Sequence, residues 1–158
     1  AVVWRTLFTN LYLAVELVGD PVDPAVDWPT LPTTPAAGSA PLVATSTVRT
    51  IDAHVYSECA RIWNPIHTDV VAARRAGLAA PILHGTATMA RSVSLATELA
   101  GVPLASVQRV AGRFSAPVAL GSTFDVRLLA ADANHLWFDA VLPDGTPAIS
   151  HGLLALRP

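Results

Sequence analysis

The residues best suited to chemistry lie between Arg61 and Ala90, in the stretch RIWNPIHTDVVAARRAGLAAPILHGTATMA. It holds two of the five histidines, His67 and His84. Asn64 and Pro65 stand just before the first, and Gly85 follows the second. An imidazole exchanges a proton near neutral pH, so a histidine held in a cleft can work as a general acid or base. The competing reading is a helix start whose polar residues only cap and pack. On that reading Asp69 caps a short helix, and His84 packs and hydrogen-bonds ahead of a longer one. Thr86 and Thr88 either touch a ligand or satisfy backbone groups of their own helix. Trp63 reads as a wall of a pocket or an interface.

The elements that must position these residues can be read from periodicity. Residues 2–17 mix β-branched and aromatic side chains and predict a strand. Six of the thirteen prolines fall between Gly19 and Pro41, which predicts a long loop or linker. Strand chemistry returns at 42–50. Residues 52–63 have helical spacing, with Asp52 as N-cap and Val55, Cys59 and Ile62 on one face. Pro65 ends that helix. Thr68 or Asp69 can cap a short helix through VVAARRA, with Gly77 as its C′ residue. A longer helix runs from about Gly85 to Ala100, nearly uncharged and therefore buried over most of its circumference. Gly101 and Pro103 stop it. Strands then follow at 106–118, 123–131, 135–142 and 147–158. The pattern is α+β, a mainly antiparallel sheet covering one buried helix.

Composition narrows the function classes. The chain of 158 residues is 52% hydrophobic and 14% charged, enough to bury a core, with a net charge of −2. All ten positive residues are arginine and no basic stripe exists, so no nucleic-acid footprint is expected. Cys59 is the only cysteine, which excludes an internal disulfide and a cysteine metal cluster; by default it reads as a small buried residue. The histidines form no metal spacing, and neither metal nor cofactor is expected. The apolar start is interrupted by Arg5, Asn10 and Glu16, which argues against a membrane span or signal peptide, and the single cysteine fits a reducing, cytoplasmic setting. The chain opens on Ala1 and not on Met, and so reads as a trimmed chain or a piece of a longer one.

From residue 42 to the end, the sequence resembles the MaoC-like hydratase/dehydratase family, which includes R-specific enoyl-CoA hydratases. NPIHTD (64–69), AGLAAPILHGTATMA (76–90), GRFSAPVALGSTFDV (112–126) and SHGLLALRP occur in the family's order. The resemblance implies a hotdog fold, a curved antiparallel sheet wrapped round a long central helix. It divides the chain into an N-terminal strand and Pro-rich extension, 1–41, and one MaoC-like domain, 42–158.

In the family an Asp and a His activate a water that adds to an enoyl thioester, and a backbone N–H at the start of the central helix binds the thioester oxygen. Such an N–H suits the charge that develops there. Carried over, His67 is the histidine, Asn64 the motif asparagine and Gly85 the oxyanion donor. The acid falls on Ile62, which can neither bind water nor move a proton, and the family's preceding Ser-Gly becomes Ala60-Arg61. Glu58, one helical turn earlier, is the candidate replacement acid. Ile62, Trp63 and Thr86 are expected at the substrate. The implied partners are an acyl thioester, on CoA or a carrier protein, and a second hotdog module, identical or different. Isomerisation or cyclisation of a polyketide-like substrate, and a non-catalytic role in a hetero-oligomer, are the alternatives.

Overall fold

The computed structural model describes residues 5–9, 16, 18–20, 30–36 and 40–157. The chain divides into two units, Ala1–Pro32 and Thr33–Pro158. In the first, the strand expected over 2–17 lies mostly outside the described residues. Its described part, 5–9 and 16, carries no strand. Strand-forming composition makes a strand only where a neighbour supplies the ladder. Residues 30–36, within the expected loop, are without regular structure.

The second unit carries every helix and strand among the described residues. Its order is β1 (Leu42–Thr47), α1 (Asp52–Ala60), a 3-10 turn (Pro65–His67), α2 (Val70–Arg75), α3 (Gly85–Ala100), a second 3-10 turn (Leu104–Ser106), β2 (Val107–Phe114), β3 (Thr123–Ala131), β4 (His135–Val141) and β5 (Pro147–Leu156). The five strands form one antiparallel sheet in the order β1-β3-β4-β5-β2, with β1 and β2 at its edges. This is the hotdog fold, with α3 against the sheet.

The alternating residues of the sheet build the core. Phe124 and Val126 of β3, Leu136, Phe138 and Ala140 of β4, and Ile149 and Leu154 of β5 are buried against Ala87, Val93 and Ala96 of α3. Each large side chain so buried contributes about 1.5–3 kcal/mol. The buried face of α3 also carries Thr88, Ser92 and Thr97. These hydroxyls donate to carbonyls of their own helix: Thr88 to His84 (3.2 Å), Ser92 to Thr88 (2.9 Å) and Thr97 to Val93 (3.1 Å). They therefore enter the core already hydrogen-bonded, and their small size lets the helix lie close to the sheet. Only the row Gly85, Thr86, Ala90, Ser94 and Glu98 is exposed. Gly101, at φ 66°, closes the helix as expected.

The β4–β5 pair contains a tight crossing. Gly152 pairs with Phe138, and a Cβ at Gly152 would lie 2.6 Å from the Phe138 carbonyl oxygen and 2.7 Å from its ring. No side chain fits there. The register shifts beside this pair, where His151 takes φ 53°.

Three expectations about α1 need correction. Its N-cap is Ile51, with no side-chain cap. Asp52 is the first helical residue and its carboxylate turns back to the Arg49 backbone N–H (2.9 Å) and Arg49 Nε (2.8 Å), and across to Arg91 Nη2 on α3 (2.8 Å). The buried face is Asp52, Ala53 and Ser57, whereas Val55 and Ile62 are exposed. Cys59 is exposed as well. The helix is held by an ion-pair anchor and polar contacts, which an apolar-periodicity reading cannot detect.

Candidate active site

Each chemical residue is set by a local backbone device. Arg61 ends α1 in the left-handed region (φ 55°, ψ 41°), its N–H on the Ser57 carbonyl. The chain then reverses, and Ile62 N–H also bonds the Ser57 carbonyl (3.1 Å). Asn64 caps the 3-10 turn, its side chain accepting from the Ile66 N–H (3.3 Å), while His67 N–H bonds the Asn64 carbonyl (3.1 Å). Asn64 thus shapes the turn that presents His67. Asp69 caps α2 by accepting from the Val71 and Ala72 N–H groups (2.6 and 2.9 Å). The Ala72 and Val71 bonds hold its carboxyl below the ordinary carboxylate value. The expected capping role is the one observed, with Gly77 at φ 81° behind the helix.

His67 is buried, and its Nδ1 lies 2.9 Å from the Ile82 carbonyl oxygen. A carbonyl only accepts, so Nδ1 carries the hydrogen and Nε2 of the neutral ring is left as an acceptor. The Ile82 carbonyl is itself well placed. Ile82 bridges Ala119, and Leu83 N–H bonds the Val118 carbonyl (2.8 Å). An imidazole with a defined tautomer is therefore tied to the segment leading into α3.

His84 stacks on His67, with ring centroids 3.7 Å apart and planes inclined by 21°. Its Nε2 lies 3.2 Å from Ser57 Oγ and 3.3 Å from the Ile62 carbonyl oxygen. Tyr56 packs on it at 4.9 Å. Its Nδ1 is buried with no hydrogen-bond partner. Burial, then the neighbouring His67, push the His84 pKa down, against the opposing pull of the Ile62 carbonyl. Ser57, 2% exposed, carried no signal in the sequence. Only the true buried face of α1 would have singled it out.

Gly85 is the first residue of α3, and no side chain caps the helix start. Its backbone is exposed, with the ring of Phe114 alongside; a Cβ would stand 3.1 Å from Phe114 Cδ1. A cleft of about 280 Å³ opens here, bounded by Ile82, Gly85, Phe114, Pro117, Val118 and Ala148. His67 and His84 are not part of that wall. The elements therefore bring His67, His84 and Gly85 together, with the cleft on the Gly85 side. Thr86 is exposed next to it. Ile62 is 41% exposed, and only its carbonyl turns to His84. The Glu58 carboxylate accepts from the indole N–H of the exposed Trp63 (3.1 Å), at the surface. A larger hollow of about 500 Å³ runs between β1 and α3 past Arg91. Arg91 is committed there to Asp52 and to the Thr47 carbonyl, and the hollow meets none of the histidines. No cluster of metal ligands exists among the described residues. Nor is any described helix long and apolar enough to cross a membrane.

Fold and site define a hotdog module with a buried histidine pair at the mouth of its central helix. Residues 33–142 match the model of the MaoC like domain, and the chain belongs to that family. It is similar to the peroxisomal multifunctional enzyme type 2 of Drosophila melanogaster, at 31% identity and a TM-score of 0.71, over 89% of this chain and 26% of that one. It is also similar to a MaoC-like dehydratase from Phytophthora capsici (23% identity, TM-score 0.71), over 81% of this chain and 44% of that one. The R-hydratase PhaJ1 of Pseudomonas aeruginosa shares the fold at 18% identity and a TM-score of 0.58, over 75% of this chain and 81% of that one. The chain thus spans less than half the length of the first two. No curated protein sequence matches it.

Proposed function

We propose that the chain is a hydratase/dehydratase module acting on a 2-enoyl thioester carried by CoA or an acyl carrier protein. The observation that carries this is the defined His67 tautomer, with Nε2 free to accept, fastened beside the uncapped start of α3. In the hydration direction, His67 Nε2 takes a proton from water as its oxygen bonds to carbon 3. Charge gathers on the thioester oxygen, against the Gly85 N–H and the positive end of the helix dipole. The proton then returns to carbon 2. Asn64 acts by shaping the turn under His67. Residues 42–158 form the working module, paired with a second hotdog module, and 1–41 are an extension to it.

The test is hydration of short and medium 2-enoyl-CoA by the purified full chain. We expect turnover that His67→Ala lowers by about 10²-fold or more. No turnover, alone or with a co-purified partner, would remove the hydratase reading. One observation favours isomerisation or cyclisation instead: the position of the water-holding acid is Ile62, and Glu58 is engaged with Trp63. Hydration that appears only in Ile62→Asp would decide for that second reading.

A further inference from the structure

We propose that His84 is a positioning residue for His67, clamping its ring by stacking while Ser57 and the Ile62 carbonyl hold His84 in place. The proposal rests on the reading of His67 as the acid–base group of the site. His67 has one polar tie, from Nδ1 to the Ile82 carbonyl. That bond fixes the tautomer only while the ring is held against the Ile82 carbonyl, and by itself it leaves the ring free to swing away. The parallel face of His84 at 3.7 Å removes the swing. His84 in turn has two anchors at Nε2, both from the α1 end, and Tyr56 on its ring. This joins α1, the Arg61 reversal and the start of α3 around one imidazole.

Packing alone does not account for a histidine here. Its Nδ1 is buried without a hydrogen-bond partner, a state that a phenylalanine of similar outline would avoid. What histidine adds is the donor at Nε2, which faces the Ile62 carbonyl and ties the ring to the stretch leading into Asn64. Among the described residues, the titratable groups packed on His84 are His67 and Tyr56. Burial and the nearby His67 both favour the neutral ring. The clamp therefore brings no second charge against a proton arriving on His67.

The experiment compares wild type, His84→Ala, His84→Phe and Ser57→Ala in the full chain. One readout is the nitrogen NMR spectrum of the His67 imidazole, which reports its tautomer without any turnover. The other is 2-enoyl-CoA hydration, separated into kcat and KM. His84→Ala is expected to mix the His67 tautomers and to lower kcat about 10-fold or more with KM within about 2-fold. His84→Phe, which retains a flat face but loses both Nε2 anchors, is expected to recover part of both, and Ser57→Ala, which keeps the ring and one anchor, to fall between His84→Phe and wild type. The proposal is overturned if His84→Ala keeps the wild-type tautomer and kcat, or if His84→Phe is as impaired as His84→Ala. Should wild type turn over no enoyl thioester, the functional reading fails, and the NMR comparison alone decides the clamp. Should His84→Ala not fold, the Ser57→Ala tautomer decides it: mixing supports the clamp, and an unchanged ring overturns it.

Discussion

Replacing Asp52 by Asn should destabilise the fold by about 1–1.5 kcal/mol at pH 7, and the loss should shrink in acid. The Asp52 side chain is 4% exposed and meets guanidinium groups of Arg49 and Arg91. Burial opposes its charge, but hydrogen bonds from Arg91 and from the backbone and side chain of Arg49 outweigh it, taking the pKa from 3.8 to about 2. A difference of that size corresponds to about 2.5 kcal/mol at neutral pH. Arg49 is 71% exposed and Arg91 31%, so solvent screens the pairs and roughly half of that figure is expected to survive. A depressed carboxylate stabilises above its unfolded value, and the contribution is lost as pH falls through its folded value. The gap between wild type and Asp52→Asn should therefore be flat above about pH 5 and narrow by about half near pH 3. Urea unfolding of both proteins at these two pH values measures it. A gap below about 0.3 kcal/mol at pH 7, or one that does not narrow in acid, would refute the assignment of Asp52 as a charged anchor.

Other expected outcomes follow from single backbone and side-chain features. Arg61→Gly should stabilise by about 0.5–1 kcal/mol, because the left-handed conformation at φ 55° costs an L side chain more than it costs glycine; thermal unfolding reads this directly. Gly152→Ala should destabilise by about 3 kcal/mol or more, since its Cβ meets the Phe138 backbone as well as its ring. A variant that folds with wild-type Tm would contradict the crossing described. Because the His84 pKa is lowered in the fold, the unfolded chain binds more protons, so stability should fall as pH drops below about 6.5. His84→Phe should flatten that slope in equilibrium unfolding followed from about pH 7.5 to 5.

The sheet and α3 were legible because their apolar residues follow the periods of the elements that bury them. The expected strand over 123–131 and the helix over 85–100 have the bounds observed. Helix α1 was not legible in this way. Val55, Cys59 and Ile62 have helical spacing but face solvent, and Asp52, Ala53 and Ser57 face inward. A buried ion pair reverses the usual link between polarity and exposure, and spacing alone does not reveal it. The same reversal concealed Ser57 and with it the support of His84. His67, Asn64 and Gly85 stood out by residue type, whereas the Ile82 carbonyl that orients His67 is a backbone atom with no sequence signature.

The buried hydroxyls of α3 return to carbonyls of their own helix, and the described polar tie from α3 to the sheet is Arg91 to the Thr47 carbonyl at the edge strand β1. Over the rest of the sheet its seat is set by volume. A methyl group gained or lost beneath it, at Ala87 or Val126, would move the first N–H groups as a rigid lever, while His67 stays tied to the Ile82 carbonyl. The distance between His67 and the Gly85 N–H is thus a dimension of the core, and substitutions far from the cleft can change it without altering any group within the cleft.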